Sequence, residues 1–401
     1  MVYIGIVGYG TVGSGVYEVL RTNRESIARR AGEEIAVKRI CDLREFPNDP
    51  ASDLITHEYN DLIEDEEIQI IVETMGGTKP AYAFVKSALL AGKSVCTSNK
   101  ELVAEYGSEL IELAKERNLN FFFEASVGGG IPIIRPLNQA LTADEIMEIR
   151  GILNGTTNYI LTKMSREGSD YASALKEAQE MGYAERNPEA DVEGFDACRK
   201  IAILTSLAYG MQVDYQDIDT EGITKITKQD MDYAKALDAA VKLIGESRRE
   251  QGKVYARVAP LLIDSSHPLY SVNDVFNAIF VKGNVLGDVM FYGRGAGKLP
   301  TASAVVADVV DAVKHRGTHV VTLWSSKKLI LGDSDEAMNR FFVRVPKNQK
   351  EKAIEAFGNV SEVISDKVRG EFAFITEKMK EGSFKEKTKD LDVINRIRVG
   401  F

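Results

Sequence analysis

Apolar positions in the first third of the chain fall into short runs of strand length, separated by stretches with helical spacing. Residues 2–7 are apolar and break at Gly8-Tyr9-Gly10-Thr11-Val12-Gly13, after which Val16, Val19 and Leu20 return at helical spacing. That is strand, tight turn and helix. Runs at 35–41, 68–72, 94–97 and 121–123 read as further strands, with one helix opened by Pro80 and reaching residue 90 and another after Lys100. This alternation predicts an open, largely parallel sheet with helices on both faces. From about residue 145 the pattern changes. A strand at 145–153 leads into the polar turn 154–158, helices are expected at 159–181, 195–209 and 230–244, and strands at 255–263, 275–281 and 285–291 around a hairpin turn at 282–284. A helix at 301–314 and a polar stretch at 325–336 precede the last segment. There the order is strand 341–345, helix 349–357, strands 360–365 and 372–377, charged helix 385–391 and strand 394–399, that is, βαββαβ.

The first turn carries chemistry. In such a turn Gly8 supplies the backbone angles, Gly10 lets a pyrophosphate approach, and Gly13 lets the helix pack on the strand, while the amides around Thr11 and Val12 face the anion. A dinucleotide is the expected ligand. Asp42 ends the second strand, where an acidic residue grips the adenosine ribose of NAD; Arg39 and Arg44 flank it and suit the 2′-phosphate of NADP. As a plain turn residue before Pro47 and Pro50, Asp42 is equally explained. Ligands bind such sheets at the carboxyl ends of the strands, where Gly8, Thr74, Lys100 and Glu124 all fall.

A second concentration of chemistry is GYAERNPEADVEGFDACRK, residues 182–200, five carboxylates and a lysine around a proline-containing loop that runs into an apolar helix. A helix starting near Glu193 puts Glu193, Asp196 and Lys200 on one stripe that continues into Leu204 and Leu207. Charges lining a pocket explain that stripe; an ordinary i,i+4 surface ion pair between Asp196 and Lys200 explains it too.

Composition narrows the class. With 60 acidic and 50 basic residues the net charge is −10, which disfavours a nucleic-acid partner. Cys41, Cys96 and Cys198 are odd in number, far apart and without a CxxC pair, so neither a disulfide framework nor structural zinc is suggested. No apolar run of about 18 residues offers a membrane span, and no basic leader precedes the first strand, so a cytoplasmic protein is expected. His315 and His319 are separated by Gly317 where their helix should end, a poor metal pair, and the glycine-rich YGRGAGKL lacks the Ser or Thr of a P-loop after Lys298. An aldehyde-oxidising enzyme would need a nucleophilic thiol, and Cys96 in a strand and Cys198 in an apolar helix are badly placed for one.

An ordered set of motifs then makes a family visible: Gly8 to Gly13, residues 73–77, TSNK at 97–100, EASVGGGIPII at 124–134, GILNGTTNYIL at 151–161, residues 182–200, and YGRGAGKLPTA at 292–302. The chain resembles the homoserine dehydrogenases, which interconvert L-aspartate 4-semialdehyde and L-homoserine with NAD or NADP on the route to threonine, methionine and isoleucine. The resemblance implies that Lys200 is the acid/base group, that Lys100 is a second active-site lysine, and that Glu185 and Asp196 hold the substrate, with Asn154, Thr156 and Asp191 beside it. It implies coenzyme contacts from the glycine turn and from Asp42, Arg44, Thr74, Met75, Ser98, Lys100, Gly182 and Gly297. Glu124 with the carbonyls of Val127, Gly129 and Ile131 corresponds to a monovalent cation (sodium) site of some members. Asn187 stands where many members carry aspartate, and Cys41 where an arginine favouring NADP is common. Glu189 and Glu193 remain as solvated charges, and Asp191 is equally a loop brace.

The expected architecture is α/β: a Rossmann-type dinucleotide-binding domain (1–135, with a returning helix at 300–316), an α+β substrate and dimerisation domain (136–299), a linker (317–337) and a βαββαβ module resembling an ACT domain (338–401). In that module Pro346-Lys347-Asn348-Gln349 replaces the usual ligand-loop Asp and Pro-Gly, which points to assembly as much as to amino-acid sensing. A small-molecule substrate and a homodimer or higher homo-oligomer are the expected partners.

Overall fold

The computed structural model describes residues 1–401, which form two compact units. The first comprises Met1–Asp144, Ala202–Asp214 and Gly293–Leu329; the second comprises Glu145–Ile201, Tyr215–Tyr292 and Ile330–Phe401.

In the first unit the chain runs β1 (Val2–Val7), α1 (Thr11–Thr22), α2 (Arg24–Ala31), β2 (Ile35–Cys41), β3 (Ile55–Thr56), α3 (Asn60–Ile63), β4 (Ile68–Glu73), α4 (Ala81–Leu90), β5 (Ser94–Thr97), α5 (Lys100–Glu116), β6 (Phe121–Phe122) and α6 (Ala125–Gly128). Six parallel strands lie in the order β3-β2-β1-β4-β5-β6. The order reverses between β1 and β4, the place where such sheets bind ligands. Ile4, Ile6, Ile40, Ile70 and Val72 are buried, which is why these strands read as continuous apolar runs. The two-residue β3 is too short to leave a pattern in the sequence. A later helix, Lys298–Lys314, returns to this unit with Val305 and Val309 in the same core as Ile4 and Val16.

The second unit holds β7 (Ile146–Ile152), α7 (Gly155–Glu167), α8 (Tyr171–Glu180), α9 (Glu189–Val192) and α10 (Phe195–Tyr209), the last of which crosses into the first unit after Ile201. The short β8 (Met211–Gln212) lies in the first unit; β9 (Asp219–Thr220), α11 (Lys228–Ala236), β10 (Ala239–Glu250), β11 (Lys253–Asp264), β12 (Phe276–Gly283) and β13 (Gly287–Arg294) follow. After the returning helix (α12) and β14 (Ser325–Lys328) come β15 (Met338–Pro346), α13 (Lys350–Phe357), β16 (Val360–Val363), β17 (Glu371–Thr376), β18 (Met379–Lys380), α14 (Glu381–Thr388) and β19 (Asn395–Val399). The main strands make one sheet in the order β13-β12-β7-β10-β11-β19-β15-β17-β16. The C-terminal strands therefore continue the sheet of the middle region, joined by the parallel β11–β19 pair.

Two expectations need correction. The helix expected at 230–244 ends at Ala236, and 239–250 is strand: Asp238 takes a left-handed φ of 50°, and β10 then pairs residue for residue with β11. Residues 241–247 of β10 are all buried, so its strand alternation is erased there and its apolar residues mimic a helical face. The stretch expected as a linker, 317–337, is partly docked. Trp324 is buried, its indole donates to Gln212 at 2.9 Å, β14 pairs with β8, and Asn120 binds the chain around Thr318 and Val320. His315 and His319 turn their Nδ1 atoms to the carbonyls of Asp311 and Leu119, not to each other.

Buried charge ties the C-terminal segment to the rest of its unit. Arg344 on β15, 2 % exposed, forks onto Glu371 with two 2.8 Å contacts and reaches Asp230 at 2.6 Å and the Thr227 cap at 2.9 Å. Asp230 is fully buried and also closes the capping box of α11. Removing one partner from such a set leaves the other charge buried and uncompensated, at a cost of about 3–5 kcal/mol. Arg344→Ala is therefore expected to lose about that much stability in urea unfolding; a loss under about 1 kcal/mol would place this contact with ordinary surface pairs.

Candidate active site

The first unit supplies the coenzyme edge. Gly8 adopts φ 89° and Gly10 precedes α1, whose first-turn amides, from Thr11, Val12 and Gly13, have no acceptor within the helix. A Cβ on Gly13 would stand 2.0 Å from the Gly8 carbonyl oxygen, so only glycine fits, while on Gly10 it would meet nothing nearer than Arg44 at 3.9 Å. A tight turn with open space above it and unsatisfied amides at its head fits a pyrophosphate. The Thr74 hydroxyl donates to the Gly8 carbonyl at 2.7 Å and so ties the end of β4 to this turn, and Met75 lies against Gly8. Asp42 accepts the Tyr9 amide at 2.7 Å and a forked pair from Arg44 at 2.8 and 2.9 Å. The Arg44 contact, against the opposing effect of burial, holds the Asp42 carboxyl down at about 2. Asp42 also accepts the Arg44 backbone amide at 3.0 Å, an Asx-turn contact, so it serves as a turn residue with Arg44 as its direct partner.

The Ser98 amide donates to the Glu73 carbonyl at 3.3 Å, and Lys100 opens α5 after the Asn99 cap. Gly297, with φ 120°, immediately precedes α12. Glu124 is buried, and its carboxylate accepts the amides of Ile133, Ile134 and Arg135 at 2.5, 2.8 and 2.8 Å. The Glu124 carboxylate is occupied as a loop clamp, and nearby Gly129 takes φ 57°.

The second unit gathers the other candidates around one asparagine. Asn154 follows β7 and caps α7: its side-chain oxygen accepts the Thr157 amide at 2.9 Å. That leaves its amide group free to donate to Asp191 at 2.7 Å and to Asp196 at 2.9 Å. Lys200 Nζ donates to Asp196 at 2.8 Å and to the Leu153 carbonyl at 2.8 Å. Asp196 and Lys200 have only 5 % and 10 % of their side chains exposed, which rules out the reading of them as a surface pair. Burial raises the Asp191 carboxyl, and the nearby Asp196 pushes the same way. Thr156 donates to the Tyr183 carbonyl at 2.7 Å, securing the loop that follows α8.

The stripe drawn from Glu193 is corrected. Gly194 takes φ 83°, ends α9 and starts α10 at Phe195, so Glu193 precedes the helix that carries Asp196 and Lys200. Glu185 is exposed and stands outside the Asn154 network, and Gly182, at φ 74°, is the exposed exit from α8. The Leu153 carbonyl had no side-chain signature to betray it in the sequence. Asp308, buried within α12 and bound to Arg135 at 2.5 Å and to the Glu124 amide at 2.8 Å, did leave one: a carboxylate, with Asp311 three residues on, inside an otherwise apolar stretch of helix.

With this geometry in view, the chain matches the homoserine dehydrogenase family profile over residues 132–310 and the homoserine dehydrogenase NAD binding domain profile over residues 8–124. The chain belongs to the homoserine dehydrogenase family. Homoserine dehydrogenase of Bacillus subtilis is 43 % identical over 315 residues, 78 % of this chain and 73 % of that protein. The crystal structure of the Thiobacillus denitrificans homoserine dehydrogenase covers 99 % of this chain and 98 % of its own, with a TM-score of 0.88 at 36 % identity. A hyperthermophilic archaeal homoserine dehydrogenase in complex with NADPH covers 78 % of this chain and 97 % of its own, with a TM-score of 0.66 at 32 % identity. The dehydrogenase is accordingly an NAD(P)-dependent oxidoreductase that interconverts L-aspartate 4-semialdehyde and L-homoserine. No helix is long and apolar enough to cross a membrane.

Asn154 does two jobs whose loss separates cleanly. Asn154→Ala is expected to cost about 1–2 kcal/mol through the cap. It should also lower kcat/KM for homoserine by about 10- to 100-fold, because two carboxylates lose the donor that spaces them. Asn154→Ser, which keeps a cap, should recover the stability but not the activity, and full recovery of both would refute the bridging role.

Proposed function

We propose that Lys200 carries the proton in homoserine oxidation and semialdehyde reduction, and that Asp196, with Asp191 beside it, receives the substrate ammonium. The observation that carries this is the buried Lys200–Asp196 pair, held at 2.8 Å and anchored on the Leu153 carbonyl and the Asn154 amide. A nicotinamide coenzyme, when bound, would supply or take up the hydride. The chain's own task is then the proton: the alkoxide left by hydride addition needs one, and the alcohol in reverse must lose it. An ammonium aimed at that oxygen both transfers the proton and stabilises the developing negative charge. Its carboxylate partner, fixed by Asn154, orients it and offers charge to the substrate amine. Glu185, exposed on the same loop, is a second anchor for that amine once substrate is bound, and Lys100 and Gly182 belong with the coenzyme contacts.

The coenzyme turn, Asp42 and Arg44 suit either nicotinamide coenzyme: Asp42 meets a free ribose, and Arg44, 61 % exposed in its side chain, a 2′-phosphate. A sodium ion would rest on the carbonyls of Glu124, Val127, Gly129 and Ile131. The βαββαβ order of residues 338–401 supports an ACT-like module, and the exposed Met290 and Tyr292 on the outermost strand β13 support a homodimer. The reaction serves threonine, methionine and isoleucine synthesis in the cytoplasm.

Lys200→Ala is expected to lower turnover by about 10²- to 10⁴-fold in a coenzyme-absorbance assay with homoserine, while NAD(P)H binds as in the wild type. Near-normal turnover would sink the assignment. Added threonine separates the two uses of the tail: with Pro346-Lys347-Asn348-Gln349 in the loop after β15, wild-type activity should be indifferent to it, and inhibition at modest threonine would restore the sensing role.

A further inference from the structure

Glu73 ends β4 at the middle of the parallel sheet, opposite Val7 of β1 on one side and Thr97 of β5 on the other. Its side chain is completely buried. Oε1 accepts the Met75 amide at 2.7 Å and Oε2 accepts the Thr97 hydroxyl at 2.5 Å. A series of contacts leaves from each end. Towards β1, the Thr74 amide donates to the Val7 carbonyl at 2.9 Å and its hydroxyl to the Gly8 carbonyl at 2.7 Å, so segment 74–75 is tied to the glycine turn. Towards β5, the Thr97 oxygen accepts the Asn99 amide at 2.9 Å. Asn99 caps α5 through the Leu102 amide at 3.1 Å and donates to the Gly77 carbonyl at 2.7 Å. Lys100 is the next residue. The Glu73 carboxylate is thus bonded to both halves of the coenzyme edge, and Asn99 adds a second tie between them.

A buried carboxylate is costly to keep charged, and a neutral amide of the same shape would fill the space. What the amide cannot do is accept from both neighbours at once. With one oxygen on the Met75 amide, its nitrogen would face the Thr97 oxygen as a donor and turn the hydroxyl proton away. We propose that Glu73 is a positioning residue for the coenzyme: by accepting from Met75 and Thr97 together, its carboxylate holds the glycine turn and the head of α5 in the arrangement that binds NAD(P). This rests on the reading of Thr74, Met75, Ser98 and Lys100 as coenzyme contacts.

Protonation would imitate the amide. A carboxylic acid must donate its hydrogen, the Met75 amide cannot receive it, and the Thr97 oxygen alone remains. Burial pushes the Glu73 acid up to about 7, against the hydrogen bonds from Thr97, Met75 and Asn99 that favour the charged form. The titratable side chain set against it is Tyr59, whose phenol burial also pushes up. The sign is fixed by these contacts. Above about neutrality the carboxylate is charged and accepts from both sides; below it, the bond to Thr97 reverses, the Thr97 oxygen must accept from the acid as well as from the Asn99 amide, its own hydroxyl proton is turned away, and the hold on the coenzyme edge weakens.

Coenzyme dissociation constants from fluorescence titration, with KM and kcat, measured between about pH 6 and 9, test this in the full-length protein. For the wild type, coenzyme binding should weaken about fivefold as pH falls through 7. Glu73→Gln should show the weak value at every pH, with kcat changed by less than about twofold. A flat wild-type profile overturns the proposal, as does an unaltered inflection in Glu73→Gln. If Glu73→Gln fails to fold, Thr97→Val serves: it removes the hydroxyl and leaves the acid, and is expected to shift the inflection upward, whereas an unmoved inflection overturns the role. Met75→Ala separates this from the reading beneath it. Weaker coenzyme binding at all pH values with the inflection kept supports that reading; unchanged binding in Met75→Ala removes segment 74–75 from the coenzyme and the basis of the proposal with it.

Discussion

A lysine and an aspartate taken out of water must answer for their hydration, and the Asn154 carboxamide is where the substrate unit does so. One side-chain oxygen caps α7, and one amide group touches both Asp191 and Asp196. Without that donor two carboxylates would share a small volume with a single ammonium, and one of them would take up a proton. With it, Asp196 accepts from both the Asn154 amide and the Lys200 ammonium. The demand then propagates. Asn154 can stand there only if β7 ends at Ile152 and the chain turns at once into α7, and Lys200 reaches the Leu153 carbonyl only if α10 starts at Phe195. Gly194, at φ 83°, makes that start possible.

The placement of β7 depends in turn on charges buried across its sheet. Arg150 reaches Glu246 at 3.0 Å, and Glu246 takes Arg257 at 3.2 Å. Arg257 donates to Asn339 at 3.0 Å, Asn339 to Glu381 at 2.7 Å, and Glu381 receives Arg398 at 2.6 Å. Burial alone would raise the Glu246 acid, yet the surrounding arginines hold it at about 2. The ladder runs from β19 and α14 to the strand that presents Leu153 and Asn154. Hydrophobic contact would have secured these strands with less desolvation; a ladder of directional bonds also fixes their register, and register is what the strand carrying the site requires.

Much of this was legible in the residues. The β1 turn could be placed because its glycines have steric reasons that a sequence displays: the 2.0 Å approach at Gly13 admits no other side chain. The parallel sheet showed itself through strands buried on both faces. The same property concealed β10, where burial on both faces erased the alternation that separates strand from helix, and left 239–244 looking helical. Glu124 shows a second limit. Its residue type fits a cation ligand, but three backbone amides had already claimed its carboxylate, and backbone donors carry no letter in the sequence. The 317–337 stretch shows a third: polar composition suggested a linker, while a single Trp324 indole and its Gln212 partner were enough to dock it. The motif signals of 97–100, 151–161 and 182–200 carried the family resemblance, and spacing alone would have left Asp196 and Lys200 as an ion pair of either kind.

The two candidate sites solve the same electrostatic problem in opposite ways. At the coenzyme edge Asp42, 8 % exposed in its side chain, is held far into its ionised range, and only its partner Arg44, 61 % exposed, is kept near water. A side chain so placed can exchange one partner for another at little cost, because solvent screens each step. In the substrate unit Asp196 and Lys200 have no such freedom. Their partners are a strand-end carbonyl and a cap residue, both fixed by secondary structure, so their geometry is set before a substrate arrives. Hydride transfer to a small aldehyde leaves charge on one oxygen, and a donor that need not reorganise stabilises that charge most. Under the proposed roles, an adaptable grip on the coenzyme and a rigid one on Lys200 is the division of labour this reaction asks for.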